Sequence, residues 1–103
     1  MKVVWTEQAL ERIQEIEDFV SQNSPDRAML FVAKLIERGD SLAPFPHLGR
    51  RLPELGSSEI REVLEGNYRI VYRITHERIE IITVFEGHRQ LPTQDIMPKP
   101  SVK

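Results

Sequence analysis

Cysteine is missing from the 103 residues of this sequence. Its absence excludes disulfide bridges, thiolate metal sites and a cysteine nucleophile, and it is typical of proteins kept in a reducing compartment. Long apolar runs are missing too, since none approaches the roughly 20 residues that a membrane-spanning helix needs. The apolar start of the chain is too short for a secretory signal peptide. We therefore expect a cytoplasmic protein with no membrane segment.

Positive charge is not in excess, because the formal net charge at pH 7 is −2. Proteins that bind nucleic acid through its phosphates usually carry an excess of positive charge. The acidic residues of this chain are concentrated near its start, whereas arginines recur from its middle onward: Arg50, Arg51, Arg61, Arg69, Arg73 and Arg89. Any nucleic-acid function would therefore depend on a local basic surface.

Motifs of known catalytic sites are also absent. The sequence has no glycine-rich phosphate loop, no nucleophile elbow around a serine and no metal-ligand spacing, so we expect neither a cofactor nor a metal. His47 and His76 fall in predicted loops and are interpreted as solvated residues. His88 differs, because it follows an apolar strand and precedes Arg89. A histidine there could act as a general acid or base, since its pKa lies near neutral pH.

A short apolar run over residues 2–5 predicts a strand, and two amphipathic helices follow it. Thr6 is a typical N-cap, and apolar residues then recur every three or four positions to about residue 21. Ser24 and Pro25 predict the start of the second helix, which we expect to end near Gly39. The two helices form a hairpin whose shared apolar face is expected to pack on a sheet.

Three further strands are predicted in the second half. Gly66 and Asn67 suit a tight hairpin turn. Residues 68–74 then alternate, with Tyr68, Ile70, Tyr72 and Ile74 on one face and Arg69, Val71 and Arg73 on the other. Residues 59–65 fit either a strand or a short helix, and the turn that follows favours a strand. Residues 43–58 contain three prolines and two glycines, which predicts a loop.

The last predicted strand is rich in β-branched residues, as strands commonly are. Simple alternation places Ile79, Ile81 and Phe85 on one face and Ile82 and Val84 on the other. Because both faces are then apolar, we expect this strand to be central.

These elements predict an α+β domain over residues 1–91, in the order β-α-α-β-β-β. The N-terminal strand and the helical hairpin are expected to pack on a small antiparallel sheet. Residues 92–103 contain three prolines and little apolar content, and they predict a flexible C-terminal tail.

The arginines of the sheet have two interpretations. Arg69 and Arg73 share a predicted face, with Arg61 or Glu62 beside them on the neighbouring strand. One interpretation is an exposed face stabilised by cross-strand arginine–glutamate pairs, each worth about 0.2–1 kcal/mol. The other is a recognition surface for an acidic helix or a phosphate, where the planar guanidinium forms two parallel hydrogen bonds.

The order of the predicted elements and the amino-acid sequences of four segments resemble the RelE/ParE toxin superfamily of bacterial type II toxin–antitoxin modules. The segments are 49–55 (GRRLPEL), 60–63 (IREV), 66–73 (GNYRIVYR) and 84–89 (VFEGHR). The resemblance covers about residues 2–91, and the segment sequences are closer to those of the ParE-like branch. It implies a toxin that inhibits DNA gyrase, is not an enzyme, and is neutralised by a cognate antitoxin. Such antitoxins lay an extended or helical segment across the toxin, which a groove between the helical hairpin and the sheet would accommodate.

The resemblance also implies two alternatives. One is a RelE-like ribosome-dependent mRNA endonuclease, whose partners are the ribosome and mRNA. The lysine pair of that branch is not reproduced here, and no tyrosine follows Tyr72. The other alternative is an inactive remnant that only binds antitoxin. The predicted target- or antitoxin-binding residues are Arg50, Arg61, Arg69, Arg73 and Arg89, and the nuclease alternative would use Arg69, His88 and Arg89.

Overall fold

The computed structural model describes residues 1–52, residues 57–87 and Asp95, with Ser57 and Ser58 described by their backbone alone. The elements in chain order are β1 (Lys2–Trp5), α1 (Glu7–Ser21), α2 (Pro25–Asp40), β2 (Arg50–Leu52), β3 (Ser57–Glu65), β4 (Tyr68–Ile74) and β5 (Arg78–Glu86). The strands form one sheet in the order β1-β5-β4-β3-β2. Strand β1 runs parallel to β5, and the other neighbours are antiparallel. The α+β prediction is confirmed, with one strand more than expected. The sheet is mixed and not purely antiparallel as predicted, because β1 joins it in parallel to β5.

Both helices begin where the sequence predicts. The Thr6 hydroxyl accepts a hydrogen bond from the Ala9 N–H at 3.2 Å, and the Ser24 hydroxyl accepts one from the Arg27 N–H at 3.3 Å. Each cap satisfies a backbone donor that the first helical turn leaves unpaired. Helix α2 ends at Asp40, directly after the predicted position. No helix in the described part of the chain is long and apolar enough to cross a membrane.

The prediction that residues 43–58 form a loop is wrong at residues 50–52 and at Ser57 and Ser58, where β3 begins. At residues 50–52, β2 pairs with β3, with Arg50 opposite Glu62 and Arg51 opposite Arg61. Three residues are too few to show an alternating pattern, so this edge strand exists only through its pairing with β3. The strand interpretation of residues 59–65 is confirmed, and Gly66 makes the predicted turn with a φ of 59°.

The simple alternation predicted for β5 is wrong beyond Ile81. Val71 pairs with Thr83 and Tyr72 pairs with Ile81, so Ile82 is an extra residue in β5. Such a β-bulge shifts the alternation of the residues that follow it. As a result Val84 joins the core beneath the helices, and Phe85 lies with Ile82 in a separate apolar cluster.

The sheet therefore has two apolar clusters. The main core lies between the helices and the sheet and includes Leu35, Ile70 and Ile81, all of which are fully buried. We call the opposite side of the sheet the outer face. It carries a smaller cluster of Leu52, Ile60, Val71, Ile82 and Phe85. The predicted alternation of β4 is confirmed, since Ile70 and Tyr72 pack in the main core and Val71 in the outer cluster.

Candidate interaction sites

A buried carboxylate joins two of the predicted site arginines on the outer face. The Glu62 side chain is only 4% exposed. One carboxylate oxygen accepts a hydrogen bond from Arg50 Nε at 2.7 Å, and the other accepts one from Arg69 Nε at 2.5 Å. A buried carboxylate is stable only with such partners, because burial without them carries a large desolvation penalty.

Arg69 makes a second contact on the same face. Its guanidinium carbon lies 4.9 Å from the centroid of the Phe85 ring, within the range of a cation–π interaction. The side chain is 16% exposed, whereas that of Arg50 is 60% exposed. Arg69 is therefore a packed part of the outer face, and Arg50 lies at its solvated edge.

The third arginine of this face also has an acidic neighbour. Arg73 Nη1 lies 3.7 Å from one carboxylate oxygen of Glu80, and the other oxygen accepts a hydrogen bond from Arg78 at 2.8 Å. The outer face thus contains the cross-strand arginine–glutamate pairs of the first interpretation. Their carboxylates offset much of the positive potential that a phosphate would need.

Arg61 lies on the other face of the sheet from Arg50, Arg69 and Arg73. It lies opposite Tyr72 in the β3–β4 pairing, on the helix-facing side of β3. Its Nη1 donates hydrogen bonds to the carbonyls of Gly49 at 2.8 Å and His47 at 3.4 Å. Within the described ranges its Nε is buried without an acceptor. Arg50, Arg69 and Arg73 share the outer face, and Arg61 supports a loop instead.

The predicted residues His88 and Arg89 lie outside the described residues, so their roles stay predictions. His47 and His76 are exposed, as expected. In the part of the chain that the structure describes, no group of three or more histidine, aspartate or glutamate side chains is placed to hold a metal ion.

Sequence reasoning assigned Tyr72 only to the core and missed what its hydroxyl does. The hydroxyl accepts a hydrogen bond from the Gly49 N–H and donates one to the Pro46 carbonyl, both at 2.8 Å. Burial raises the pKa of Tyr72 above its usual value, against the opposing effects of the Gly49 hydrogen bond and of Arg61 and Arg38. The hydroxyl therefore stays protonated at neutral pH and keeps both bonds.

Gly49 is required at this contact because there is no room for a side chain. A Cβ atom would lie 2.6 Å from the Tyr72 hydroxyl oxygen and 2.5 Å from the Glu62 carbonyl oxygen. The close approach lets the backbone of the loop reach Tyr72 directly.

A second polar cluster, which the sequence analysis also missed, surrounds Asp95. Its side chain is fully buried. It accepts two hydrogen bonds from Arg12, at 2.8 and 2.9 Å, one from Gln8 at 2.7 Å and one from Thr83 at 2.9 Å. Burial alone would raise the pKa of Asp95, but these hydrogen bonds outweigh it and hold the pKa below its usual value. The rest of residues 92–103 lies outside the described residues, and its predicted flexibility stays a prediction.

A groove of about 610 Å³ opens between the helices and the start of β4. Its lining includes Phe19, Val20, Leu30, Phe31, Lys34 and Tyr68. Phe31 packs edge-on against Tyr68, with ring centroids 5.2 Å apart, and Leu30 is 69% exposed. The groove is lined mainly by the helical hairpin, with Tyr68 contributed by the sheet, and its occupation by an antitoxin segment stays a prediction.

Comparison with known proteins identifies the family of this chain. The model of the ParE toxin of the type II toxin–antitoxin system parDE matches residues 3–91. The chain belongs to the ParE toxin family. It is 33% identical over 89 residues to toxin RelE2 of Caulobacter vibrioides, covering 85% of this chain and 97% of that protein. It is 34% identical over 91 residues to Y4kP of Sinorhizobium fredii, whose name classes it as a toxin only provisionally, covering 88% of this chain and 93% of that protein.

A solved structure of a chromosomal ParDE toxin–antitoxin system from P. aeruginosa has the same fold. It superposes with a TM-score of 0.71 at 22% identity, covering 84% of this chain and 95% of the other. The ParE fold and family are thus established. The resemblance to the RelE/ParE superfamily is confirmed, and the chain is a toxin of a type II toxin–antitoxin system.

Proposed function

We propose that this ParE-family toxin acts in the cytoplasm by binding DNA gyrase and that a cognate antitoxin silences it. Membership of the ParE family favours gyrase as the target. The burial of the Glu62 carboxylate between Arg50 and Arg69 is the observation that favours a protein target over a nucleic acid. A phosphate placed between Arg50 and Arg69 would meet this buried carboxylate and be repelled by it, because like charges in a poorly solvated site interact strongly. A protein-binding inhibitor needs no such phosphate site.

The antitoxin is proposed to occupy the groove at the helical hairpin. The groove combines apolar side chains with two cations, Arg27 and Lys34, and one anion, Glu37. This composition complements a segment with apolar residues at helical spacing and acidic residues beside them. Such a segment would fold as it binds, at a cost in conformational entropy that the apolar contacts offset.

Purified gyrase tests the target. We expect the toxin alone to inhibit DNA supercoiling and the toxin premixed with its antitoxin to leave supercoiling intact. Unimpaired supercoiling at a high excess of toxin would contradict the gyrase proposal.

Charge inserted into the groove tests the antitoxin site. We expect Leu30→Asp to weaken antitoxin binding at least tenfold while the toxin still arrests growth. Met29→Asp is the matched control, because Met29 is also exposed on α2, at 62%, but does not line the groove. Equal antitoxin affinity of both variants would exclude the groove.

The alternative function is a ribosome-dependent endonuclease, and the similarity of the chain to toxin RelE2 supports it. It predicts new mRNA 5′ ends after induction, which the combined change of His88→Ala and Arg89→Ala would abolish. Absence of growth arrest without antitoxin would instead favour an inactive remnant.

A further inference from the structure

The loop between α2 and β2 exposes two large apolar side chains. Phe45 is 64% exposed and Leu48 is 55% exposed. Both lie in residues 43–49, which we call the Phe45 loop. Exposed apolar residues close together mark an interaction site more often than isolated ones do.

The Phe45 loop is fixed from beneath, although it lies at the surface. Tyr72 bonds to Pro46 and Gly49, and Arg61 bonds to the carbonyls of His47 and Gly49. Within the loop, the Leu48 N–H donates to the Phe45 carbonyl at 3.1 Å. A loop held in this way loses little conformational entropy when a partner binds it.

The charges beside the loop differ from those of the outer face. Arg51 lies opposite Arg61 in the β2–β3 pairing. Unlike Arg50 and Arg69, neither makes an ion pair with a carboxylate among the described residues. In the part of the chain that the structure describes, two cations without a carboxylate partner thus lie next to the loop: Arg61 bonds to its carbonyls, and Arg51 follows it in β2. The complementary surface is an apolar pocket with an acidic rim.

We propose that the Phe45 loop and Arg51 form the surface with which the toxin binds its protein target. Phe45 and Leu48 would enter an apolar pocket on that target, and Arg51 would face carboxylates at the rim. This inference rests on the proposed function, since it assumes a folded protein target. A fixed loop with exposed apolar side chains suits a pocket on such a protein. An antitoxin segment that folds on binding suits the groove, whose lining includes no residue of the loop.

The decisive variant is the full chain with Phe45→Ala and Leu48→Ala. We expect the toxin concentration for half-maximal inhibition of gyrase supercoiling to rise at least tenfold, because buried aromatic anchors dominate protein interfaces. Antitoxin affinity and the unfolding temperature should stay unchanged, since both side chains are exposed. The control carries Leu10→Ala and Met29→Ala, which remove two exposed apolar side chains from the helices, and it should inhibit like the original chain.

Charge reversal supplies an independent measurement. Arg51→Glu should also raise the half-inhibitory concentration, and its effect should shrink as the salt concentration increases, because salt screens exposed charges. An unchanged half-inhibitory concentration would exclude Arg51 from the surface.

The outcomes separate this inference from the proposed function. Equal inhibition by the double variant and its control overturns the inference and leaves gyrase as the target. Loss of antitoxin binding with unchanged inhibition assigns the loop to the antitoxin and also overturns it. If the original chain does not inhibit gyrase, the proposed function is wrong. Growth arrest in cells is then the deciding measurement. If only the double variant fails to arrest growth, the loop is the surface for another protein target. If the double variant still arrests growth, the inference is overturned.

Discussion

The two faces of the sheet bury apolar residues in different ways. Beneath the helices, the main core is continuous, and Ile70, Ile79 and Ile81 in it are fully buried. On the outer face, the five-residue cluster lies beside Glu62, Arg50 and Arg69. One layer of two helices shields the first face, whereas on the second the Arg69 guanidinium packs over Phe85 and shields part of the cluster.

The difference shows how a small sheet can have a stabilising core on one face and ordered charged side chains on the other. The helix-facing side supplies most of the buried apolar area and so most of the favourable free energy of folding. The outer face uses carboxylates to hold arginines in place, which fixes their geometry and lowers the net charge that they present. Basic residues on a sheet therefore do not by themselves indicate a phosphate site.

Truncation of neighbouring isoleucines in β5 compares the faces most directly. Ile81 belongs to the main core and Ile82 to the outer cluster. We expect Ile81→Ala to lower the free energy of unfolding by about 4 kcal/mol and Ile82→Ala by about 2.5 kcal/mol, because a small cluster at the surface relaxes more easily around a cavity. Urea denaturation measures both values. Equal losses would show that the two faces are equally well packed.

Removal of the buried Asp95 carboxylate should have the next largest effect. Asp95→Ala removes the buried acceptor of Arg12, Gln8 and Thr83, although Arg12 keeps its bond to Glu15. We expect a loss of about 3 kcal/mol in the free energy of unfolding. Since folding lowers the pKa of Asp95, its contribution is present above the unfolded-state pKa of about 3.9 and disappears as the pH falls through the lower folded-state pKa. Denaturation at a series of pH values should therefore show the variant and the original chain converging in acid. A difference that persists at the lowest pH would contradict this assignment.

Neutralisation of Glu62 should alter the outer face alone. Glu62→Gln weakens the hydrogen bonds from Arg50 and Arg69, and we expect a loss of about 2 kcal/mol in the free energy of unfolding. It should also increase RNA binding at low salt, measured by fluorescence anisotropy, because the face gains net positive charge. RNA binding equal to that of the original chain would mean that Glu62 does not suppress phosphate binding.

The smallest predicted difference is between the two arginines that share Glu62. We expect Arg69→Ala to lower the free energy of unfolding by about 1.5 kcal/mol and Arg50→Ala by about 0.5 kcal/mol. Arg69 is packed against Phe85, whereas Arg50 is mostly solvated, and exposed ion pairs contribute little. Thermal unfolding of both variants measures the difference, and a reversed order would contradict the account of the outer face.

Sequence patterns predicted the parts of the fold that local chemistry specifies. Thr6 and Ser24 cap helices through bonds to residues three positions away, and Gly66 permits the positive φ of its turn. The bulge at Ile82 and the strand Arg50–Leu52 depend on pairing between strands, which a local pattern does not encode.

The candidate sites were harder to predict because their partners are distant in sequence. Predicting the contact between Arg69 and Glu62 requires the register of β3 and β4. The position of the Gly66 turn indicates that register. The contact between Arg12 and Asp95 spans 83 positions, and its only trace in the sequence is that Arg12 is the one basic residue of α1. The bonds from Tyr72 to the Phe45 loop have no sequence signal, since an apolar face accommodates a tyrosine whatever its hydroxyl contacts.

The central proposal is that this toxin acts on a protein target, gyrase, and does not cleave RNA. Incubation of the purified toxin with gyrase and plasmid DNA, followed by denaturation and protease treatment, measures it most directly. We predict that linear DNA from stalled cleavage complexes accumulates with increasing toxin and disappears when antitoxin is added. A constant, toxin-independent level of linear DNA at high excess would contradict the proposal.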